Sequence, residues 1–238
     1  MNVHRAEEAL KAKVLVFGSA GSGKTRFLGS ANDDERSSPM LFLDYEGGTM
    51  SLVGSKVDIV RINGWDDYSE VYQFLTQSAH KYKSVAMDSI SEVHVFSLLS
   101  RLVGPRRGTA TDLLTQQDYG VALLQMRRLL REFRDLPLHV FASALSKDDV
   151  DVREGTVKKP ALGGALADEV PGIYDVVSYL GSVVDEGETH RALVLQNAPK
   201  IRVKTRLPVD REIPDFIIDP TVTKLFDVLG FATVAKSK

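Results

Sequence analysis

The sequence lacks cysteine altogether, and this absence removes several kinds of site at once. Disulfides, cysteine nucleophiles and zinc sites built on thiolates are all excluded. The chain also lacks a long apolar run, so no stretch approaches the length that spans a bilayer, and no signal-peptide pattern opens it. We therefore expect a cytoplasmic protein that does not associate with membranes.

The chain also lacks a large excess of positive or negative charge. The 30 basic and 32 acidic residues leave a net charge of −2, so the overall basicity typical of nucleic-acid binders is absent and any such binding must come from local patches. The 238 residues, 43% hydrophobic and 26% charged, suffice for one α/β domain with a full core. We predict a single domain, with a lead-in segment over residues 1–12 and a flexible tail over residues 231–238.

The most informative stretch is an apolar run that ends in a glycine-rich loop. Residues 13–25 read KVLVFGSAGSGKT and satisfy the P-loop pattern G-x-x-x-x-G-K-[ST]. Glycines let backbone N–H groups turn inward on a phosphate, the lysine reaches the β- and γ-phosphates, and the threonine hydroxyl coordinates Mg²⁺. ATP and Mg²⁺ are the predicted cofactors. The predicted nucleotide-binding residues are Gly18, Ser19, Ala20, Gly21, Ser22, Gly23, Lys24, Thr25 and Arg26.

Two further apolar runs end in acidic residues. Residues 40–43 read as a buried strand followed by Asp44-Tyr45-Glu46, and residues 84–88 read as a buried strand that ends at Asp88. Open α/β sheets bind ligands at the carboxyl ends of their strands. Asp88 looks like a Walker B aspartate that holds Mg²⁺ together with Thr25; the alternative is an aspartate that only caps the following helix.

The remaining pattern favours an α/β fold with a mostly parallel sheet. Residues 32–39 read as a polar loop, residues 112–134 as a long helix, and residues 138–143 as a strand in which His139 is structural. Charged loops are expected at 104–111 and 147–160, the second with a small hairpin, and a strand-rich part follows before a terminal helix at 221–229. We expect helices on both faces of the central sheet.

The order of these motifs resembles that of RecA-superfamily ATPases. GSAGSGKT is followed by LFLDYEGG and then VAMDS, and the closer resemblance is to short phage-encoded RecA-like proteins linked to single-strand annealing and recombination. It extends from about Lys13 to Arg206. The resemblance implies a RecA-like P-loop NTPase core and a homo-oligomer, ring or filament, with ATP at the subunit interface. It also implies single-stranded DNA and a single-strand DNA-binding protein as partners, in the host cytoplasm if the protein is phage-encoded.

The resemblance also assigns roles to individual residues around the nucleotide. Glu46 corresponds to the glutamate that polarises the attacking water, and Lys204 and Arg206 correspond to two basic residues presented to the ATP of a neighbouring subunit. RecA itself carries an Asn-Gln pair that senses the γ-phosphate, and this chain has Ser143-Ala144 there. Ser143 is the candidate sensor, with Ser146 as an alternative.

The DNA-binding loops of RecA-like proteins lie near residues 104–111 and 147–160. Here they offer four cations that could neutralise phosphates, namely Arg106, Arg107, Lys158 and Lys159. The residues alone leave open that these, like Lys204 and Arg206, are ordinary surface charges.

Two other functions remain open at the level of sequence. One is a small-molecule or nucleotide kinase, for which the loop with Arg106 and Arg107 would serve as the lid. The other is a nucleotide-switched binding module, similar to a helicase loader, with little hydrolysis.

Overall fold

The central sheet is built from apolar runs that are covered on both sides. The computed structural model describes residues 11–95, 115–151, 153–185, 187–206 and 211–231. Six parallel strands form the centre: β1 (Lys13–Gly18), β2 (Met40–Asp44), β3 (Asp58–Arg61), β4 (Ser84–Asp88), β5 (His139–Asp151) and β7 (Val176–Asp185). They lie in the order β3-β2-β4-β5-β1-β7. β1, β2 and β4 are buried along their whole length, as expected for parallel strands with both faces covered.

Antiparallel strands extend this sheet and account for the strand-rich part predicted after residue 147. β8 (Glu188–Val194) forms a hairpin with β7, and β10 (Phe216–Ile218) pairs with β8. The short β9 (Lys204–Thr205) pairs with the beginning of β7. β6 (Gly155–Pro160) folds back on the second half of β5. The hairpin predicted within the charged segment 147–160 is confirmed, and it is longer than predicted, because β5 continues to Asp151 and pairs with β6 as far as Pro160.

Helices cover both faces of the sheet. They are α1 (Lys24–Gly29), α2 (Trp65–Gln77), α3 (residues 90–95), α4 (Gln116–Arg134), α5 (Leu166–Ile173) and α6 (Val222–Leu229). Because side chains alternate along a strand, Leu15 and Phe17 of β1 join a core formed with α2, α3, α4 and α5. Val14 and Val16 join the opposite core, under α1 and α6. This arrangement confirms the predicted α/β fold. Within the described residues, no helix is both long and apolar enough to cross a bilayer.

The segment predicted as a polar loop at 32–39 contains a buried ionic network that the sequence analysis did not predict. Arg36 is 7% exposed and pairs with Asp34 at 2.6 Å and with Asp227 of α6 at 2.8 Å. Its guanidinium also donates to the Phe231 carbonyl and lies over the Phe226 ring. A hydrogen bond from Arg36 lowers the pKa of Asp34 to about 2. The network anchors the C-terminal helix to the region that follows α1.

His139 is structural, as the sequence predicted. It is 3% exposed at the start of β5, its Nδ1 accepts a hydrogen bond from the Ala12 N–H, and its ring packs against Phe226. Burial lowers the pKa of His139 to about 3, because a charged imidazole would lose its hydration there. The neutral ring therefore serves as a hydrogen-bond acceptor and a packing element.

The predicted termini are only partly described. Residues 1–10 and 232–238, which hold most of the predicted lead-in and tail, lie outside the described residues. Ala12 is buried and Phe231 packs against Phe226 and His139, so both belong to the packed structure and the predicted boundaries are corrected. The long helix begins at Gln116, where Thr115 and Asp118 form a capping box; residues 112–114 of its predicted range lie outside the described residues.

Candidate active site

The P-loop connects the carboxyl end of β1 to the start of α1. Gly23 has a φ of 99°, a left-handed conformation that glycine adopts without strain. Gly18 is required for a different reason, since a Cβ there would meet Ser22 Oγ at 2.8 Å and clash with the Leu180 carbonyl. The Lys24 ammonium is held inside the loop, where it donates to the carbonyls of Gly18 and Ser19 at 3.1 and 2.9 Å.

The loop is suited to a phosphate chain on the evidence of its own polar groups. The hydroxyl of Ser22 is buried and has no hydrogen-bond partner among the described residues. A buried hydroxyl without a partner is energetically costly, so a ligand oxygen that accepts a hydrogen bond from Ser22 would stabilise the loop. Ser19 and Ala20 at the loop tip, and Arg26 in α1, are exposed. Burial lowers the pKa of Lys24, while Asp88 and Glu46 act in the opposite direction; an arriving phosphate would further favour the charged ammonium.

Asp88 ends β4 next to the P-loop, as the sequence predicted for a Walker B aspartate. The Thr25 hydroxyl donates to Asp88 Oδ2 at 2.6 Å, and the Ser143 hydroxyl of β5 donates to Asp88 Oδ1. The carboxyl is 4% exposed, and burial raises its pKa despite the two hydrogen bonds. These contacts bring three of the predicted residues together around one carboxylate.

Thr25 and Asp88 form the kind of oxygen pair that holds Mg²⁺. Mg²⁺ keeps much of its hydration and is usually bound by one or two carboxylates plus substrate phosphates. No group of three or more His, Asp or Glu side chains that could form an all-protein metal site occurs in the described part of the chain. The donor set therefore fits a metal that is shared with a nucleotide. When bound, Mg²⁺ would neutralise charge on the β- and γ-phosphates.

Glu46 follows β2 and is hydrogen-bonded to the residue after Asp88. The hydroxyl of the buried Ser89 donates to Glu46 Oε1. The charge of Glu46 opposes the burial that lowers the pKa of Lys24, and it adds to the burial that raises the pKa of Asp88. The neighbouring acid, Asp44, is used differently, since it accepts from the Gly47 N–H at 2.7 Å and pairs with Arg61 at 3.0 Å. Glu46 is thus the exposed, oriented carboxylate of this cluster, and Asp44 stabilises the turn that carries it.

Lys204 and Arg206 lie away from the P-loop of their own chain. Lys204 pairs in register with Val177 of β7, and the Arg206 N–H donates to the carbonyl of Asp175, at the amino end of β7. The P-loop leaves the opposite end of β1, roughly 16 Å away at the usual rise per residue. The ammonium of Lys204 donates to carbonyls of Pro171 and Tyr174 at the end of α5, and Arg206 pairs with Asp175 at 3.2 Å.

Two of the four predicted DNA-binding residues, Lys158 and Lys159, are described, and acids outside the P-loop engage both. Arg106 and Arg107 lie outside the described residues. Lys158 pairs with Asp148 at 2.7 Å across the β5–β6 hairpin, and Lys159 pairs with Asp149 and with Asp168 of α5. Hydrogen bonds to these acids raise the pKa of both lysines, so their charges are already neutralised within the chain.

Two residues of the site were missed by sequence reasoning. Ser89 was quoted only as part of the VAMDS motif, yet its hydroxyl orients Glu46. Arg191, in β8, places its guanidinium beside Gly23 of the P-loop. Ser89 could have been suspected from its position directly after Asp88. No local signal points to Arg191, because the two residues meet only through the β7–β8 hairpin.

The sequence resembles one protein family and two solved structures. The sequence matches a family described as AAA domain over residues 10–207, and no curated protein matches it. Two similar solved structures are a KaiC-like protein from the archaeon Pyrococcus horikoshii OT3 and the flagellar accessory protein FlaH from Methanocaldococcus jannaschii. The KaiC-like protein has a TM-score of 0.47 and 17% sequence identity, and the match covers 88% of this chain and 89% of that chain. FlaH has a TM-score of 0.46 and 8% sequence identity, and the match covers 88% of this chain and 86% of that chain. Since the family match spans most of the sequence and includes every element of the P-loop site, the chain belongs to the AAA domain family of P-loop ATPases.

Proposed function

We propose that this protein is a Mg²⁺-dependent ATPase that binds single-stranded DNA and acts, as a RecA-like homo-oligomer, in phage DNA recombination or single-strand annealing. The observation that carries the proposal is the convergence of Lys24, Thr25, Asp88 and Glu46 at one edge of the sheet. The lysine and the Thr25–Asp88 pair would hold Mg²⁺-ATP. Glu46, oriented by Ser89, would accept a hydrogen bond from the attacking water and align it with the γ-phosphate.

Assembly is supported by the position of the two cations and by the surface next to the site. Arg206 is too far from its own P-loop to reach the same nucleotide, so any catalytic role requires a neighbouring subunit. The short 3₁₀ turn Thr49–Leu52 follows Glu46, and there Met50 is 87% exposed, with Val53 just beyond it 83% exposed. Exposed apolar side chains at one place favour a contact surface. The Lys204 ammonium would have to leave the carbonyls at the end of α5 before it could serve the neighbour.

Coupling to DNA is supported by the path from the β5–β6 hairpin to Asp88. β5 carries Ser143, which contacts Asp88, and continues directly into the hairpin. Ser91, in α3, accepts from the Leu145 N–H at 3.1 Å and donates to the Ala161 carbonyl at 3.0 Å, so it ties both hairpin strands to the segment after Asp88. DNA phosphates would compete with Asp148 and Asp149 for the hairpin lysines. Ser143 would then report the state of the γ-phosphate along the same strand.

The proposal is tested by ATP turnover with and without single-stranded DNA over a range of protein concentrations. Turnover per chain is expected to rise with protein concentration, because assembly completes the site, and to rise several-fold when a single-stranded oligonucleotide is added. Turnover indifferent to both would contradict the oligomeric and DNA-binding parts. Tight ATP binding without phosphate release would favour a nucleotide-switched module, and transfer of the γ-phosphate to a small acceptor would favour a kinase.

A further inference from the structure

Arg191 lies beside the P-loop because of how the β7–β8 hairpin extends. β7 runs parallel to β1, with Tyr179 in register with Phe17, and then continues past the end of β1. β8 returns alongside it, and Arg191 pairs in register with Ser182. The part of the β7–β8 hairpin that extends past β1 therefore lies next to the P-loop, and Arg191 belongs to this part.

The alternation of side chains along β8 directs Arg191 to the α1 side of the sheet. Leu193 and Leu195, two and four residues on, belong to the core under α1 and α6, and residues at this spacing share a face. The guanidinium carbon lies 2.8 Å, and two guanidinium nitrogens 3.0 Å, from where a Cβ on Gly23 would be. Gly23 therefore lacks a side chain at the spot where Arg191 approaches the loop.

No acid among the described residues neutralises the charge of Arg191. Other arginines are engaged by acids: Arg36 by Asp34, Arg127 by Glu169 and Arg206 by Asp175. The Arg191 side chain is exposed and forms neither an ion pair nor a hydrogen bond with any part of the chain that the structure describes. An arginine offers planar, paired N–H donors that match phosphate oxygens. A free guanidinium against a phosphate-binding loop is therefore placed for an anionic ligand.

We propose that Arg191 is a nucleotide-binding residue of the same chain, donating to the α- or β-phosphate of the nucleotide held by the P-loop. This inference rests on the proposed ATP site and adds a cation from β8 to it. The backbone N–H groups of a P-loop surround the α- and β-phosphates, while the lysine reaches the β- and γ-phosphates. The Arg191 guanidinium lies beside Gly23, which belongs to the loop around the α- and β-phosphates. Because ATP and ADP share these two phosphates, Arg191 would contact both nucleotides equally. It differs in this from Lys204 and Arg206, whose proposed target is the γ-phosphate of a neighbour.

The test compares Arg191→Ala with wild type in binding of ATP and of ADP, each with Mg²⁺, by calorimetric titration. Both nucleotides are expected to bind about 10-fold more weakly, since a charge-assisted hydrogen bond is lost from both complexes. Turnover at saturating ATP should stay within about twofold of wild type, because an interaction of equal strength in ground and transition states affects KM alone. Arg191→Lys should recover part of the affinity, and Arg131→Ala, which removes an exposed arginine of α4, is the matched control.

Two results would overturn the inference. Unchanged affinity for both ATP and ADP in Arg191→Ala would mean that the guanidinium does not contact the phosphates. A loss confined to ATP and accompanied by slower turnover at saturation would assign it to the γ-phosphate instead. Failure of the wild-type protein to bind either nucleotide would overturn the proposed function itself. The titration of wild type alone gives this result, so it is distinguished from any effect of the Arg191 variants. Thermal unfolding of Arg191→Ala, expected to match wild type because the side chain is exposed, separates lost contacts from lost fold.

Discussion

Lys24→Met is expected to lower ATP turnover by about a thousandfold. The ammonium donates to the carbonyls of Gly18 and Ser19 inside the loop, and the lysine of a P-loop reaches the β- and γ-phosphates, where charge develops during transfer. Methionine keeps the length and apolar character of the stem while removing the charge. ATP affinity is expected to fall as well, because the lysine contacts phosphates already in the ground state.

The measurement is phosphate release at saturating ATP, together with titration of ATP binding. Lys56→Met is the matched control, because Lys56 is exposed and has no contact with the site; its turnover should equal that of wild type. The folded state should survive in Lys24→Met, since no acid forms an ion pair with Lys24 among the described residues. A Lys24→Met protein that kept a tenth or more of the wild-type turnover would place the chemistry elsewhere.

Glu46→Gln is expected to separate binding from hydrolysis. Glutamine has the same shape and its carbonyl can still accept from Ser89, but it cannot act as an anionic acceptor for the attacking water. Loss of such a group typically costs about 10²- to 10⁴-fold in rate. ATP should bind at least as tightly as to wild type, because a negative charge near the phosphates is removed.

Single-turnover measurement of phosphate release, beside equilibrium binding of ATP, distinguishes the two effects. Glu70→Gln on α2 serves as the control for the chemical change, since Glu70 is exposed on a different part of the molecule. Unchanged hydrolysis in Glu46→Gln would assign water activation to another group and would strengthen the reading of the protein as a nucleotide-switched module. Equal losses of binding and hydrolysis would mean that Glu46 orders the loop and has no separate role in hydrolysis.

The P-loop and Asp88 could be predicted from sequence because their signals are local. A run of apolar residues followed by glycines and Lys24-Thr25 specifies a strand, a loop and a helix within a short segment. Parallel strands then bring Asp88 to the same edge as Thr25, and the structure joins them by a hydrogen bond at 2.6 Å. Successive side chains of these apolar strands point to opposite faces of the sheet, so the same runs supply the two cores on either side of it.

Other features depend on contacts between distant residues and left no local signal. Asp34 and Arg36 were predicted only as parts of a polar loop, and their burial left no local signal because it comes from α6, about 190 residues later in the chain. Lys158 and Lys159 looked like free cations, because the acids that neutralise them lie across a hairpin and on α5. Arg191 reaches Gly23 only through the extension of β7 beyond β1. In each case the sequence shows the residue type, while the tertiary partner decides its role.

The central claim is that the ATP site is completed by a neighbouring subunit, and mixing two inactive variants tests it most directly. Lys24→Met removes the phosphate-binding cation of one chain, and Arg206→Ala removes the cation that the chain would offer to its neighbour. Each variant alone should be nearly inactive. In an equal mixture that assembles at random, about a quarter of the interfaces combine an intact P-loop with an intact Arg206, so turnover should recover to about a quarter of wild type. A mixture no more active than the two separate variants, or an Arg206→Ala protein with full activity by itself, would contradict the claim.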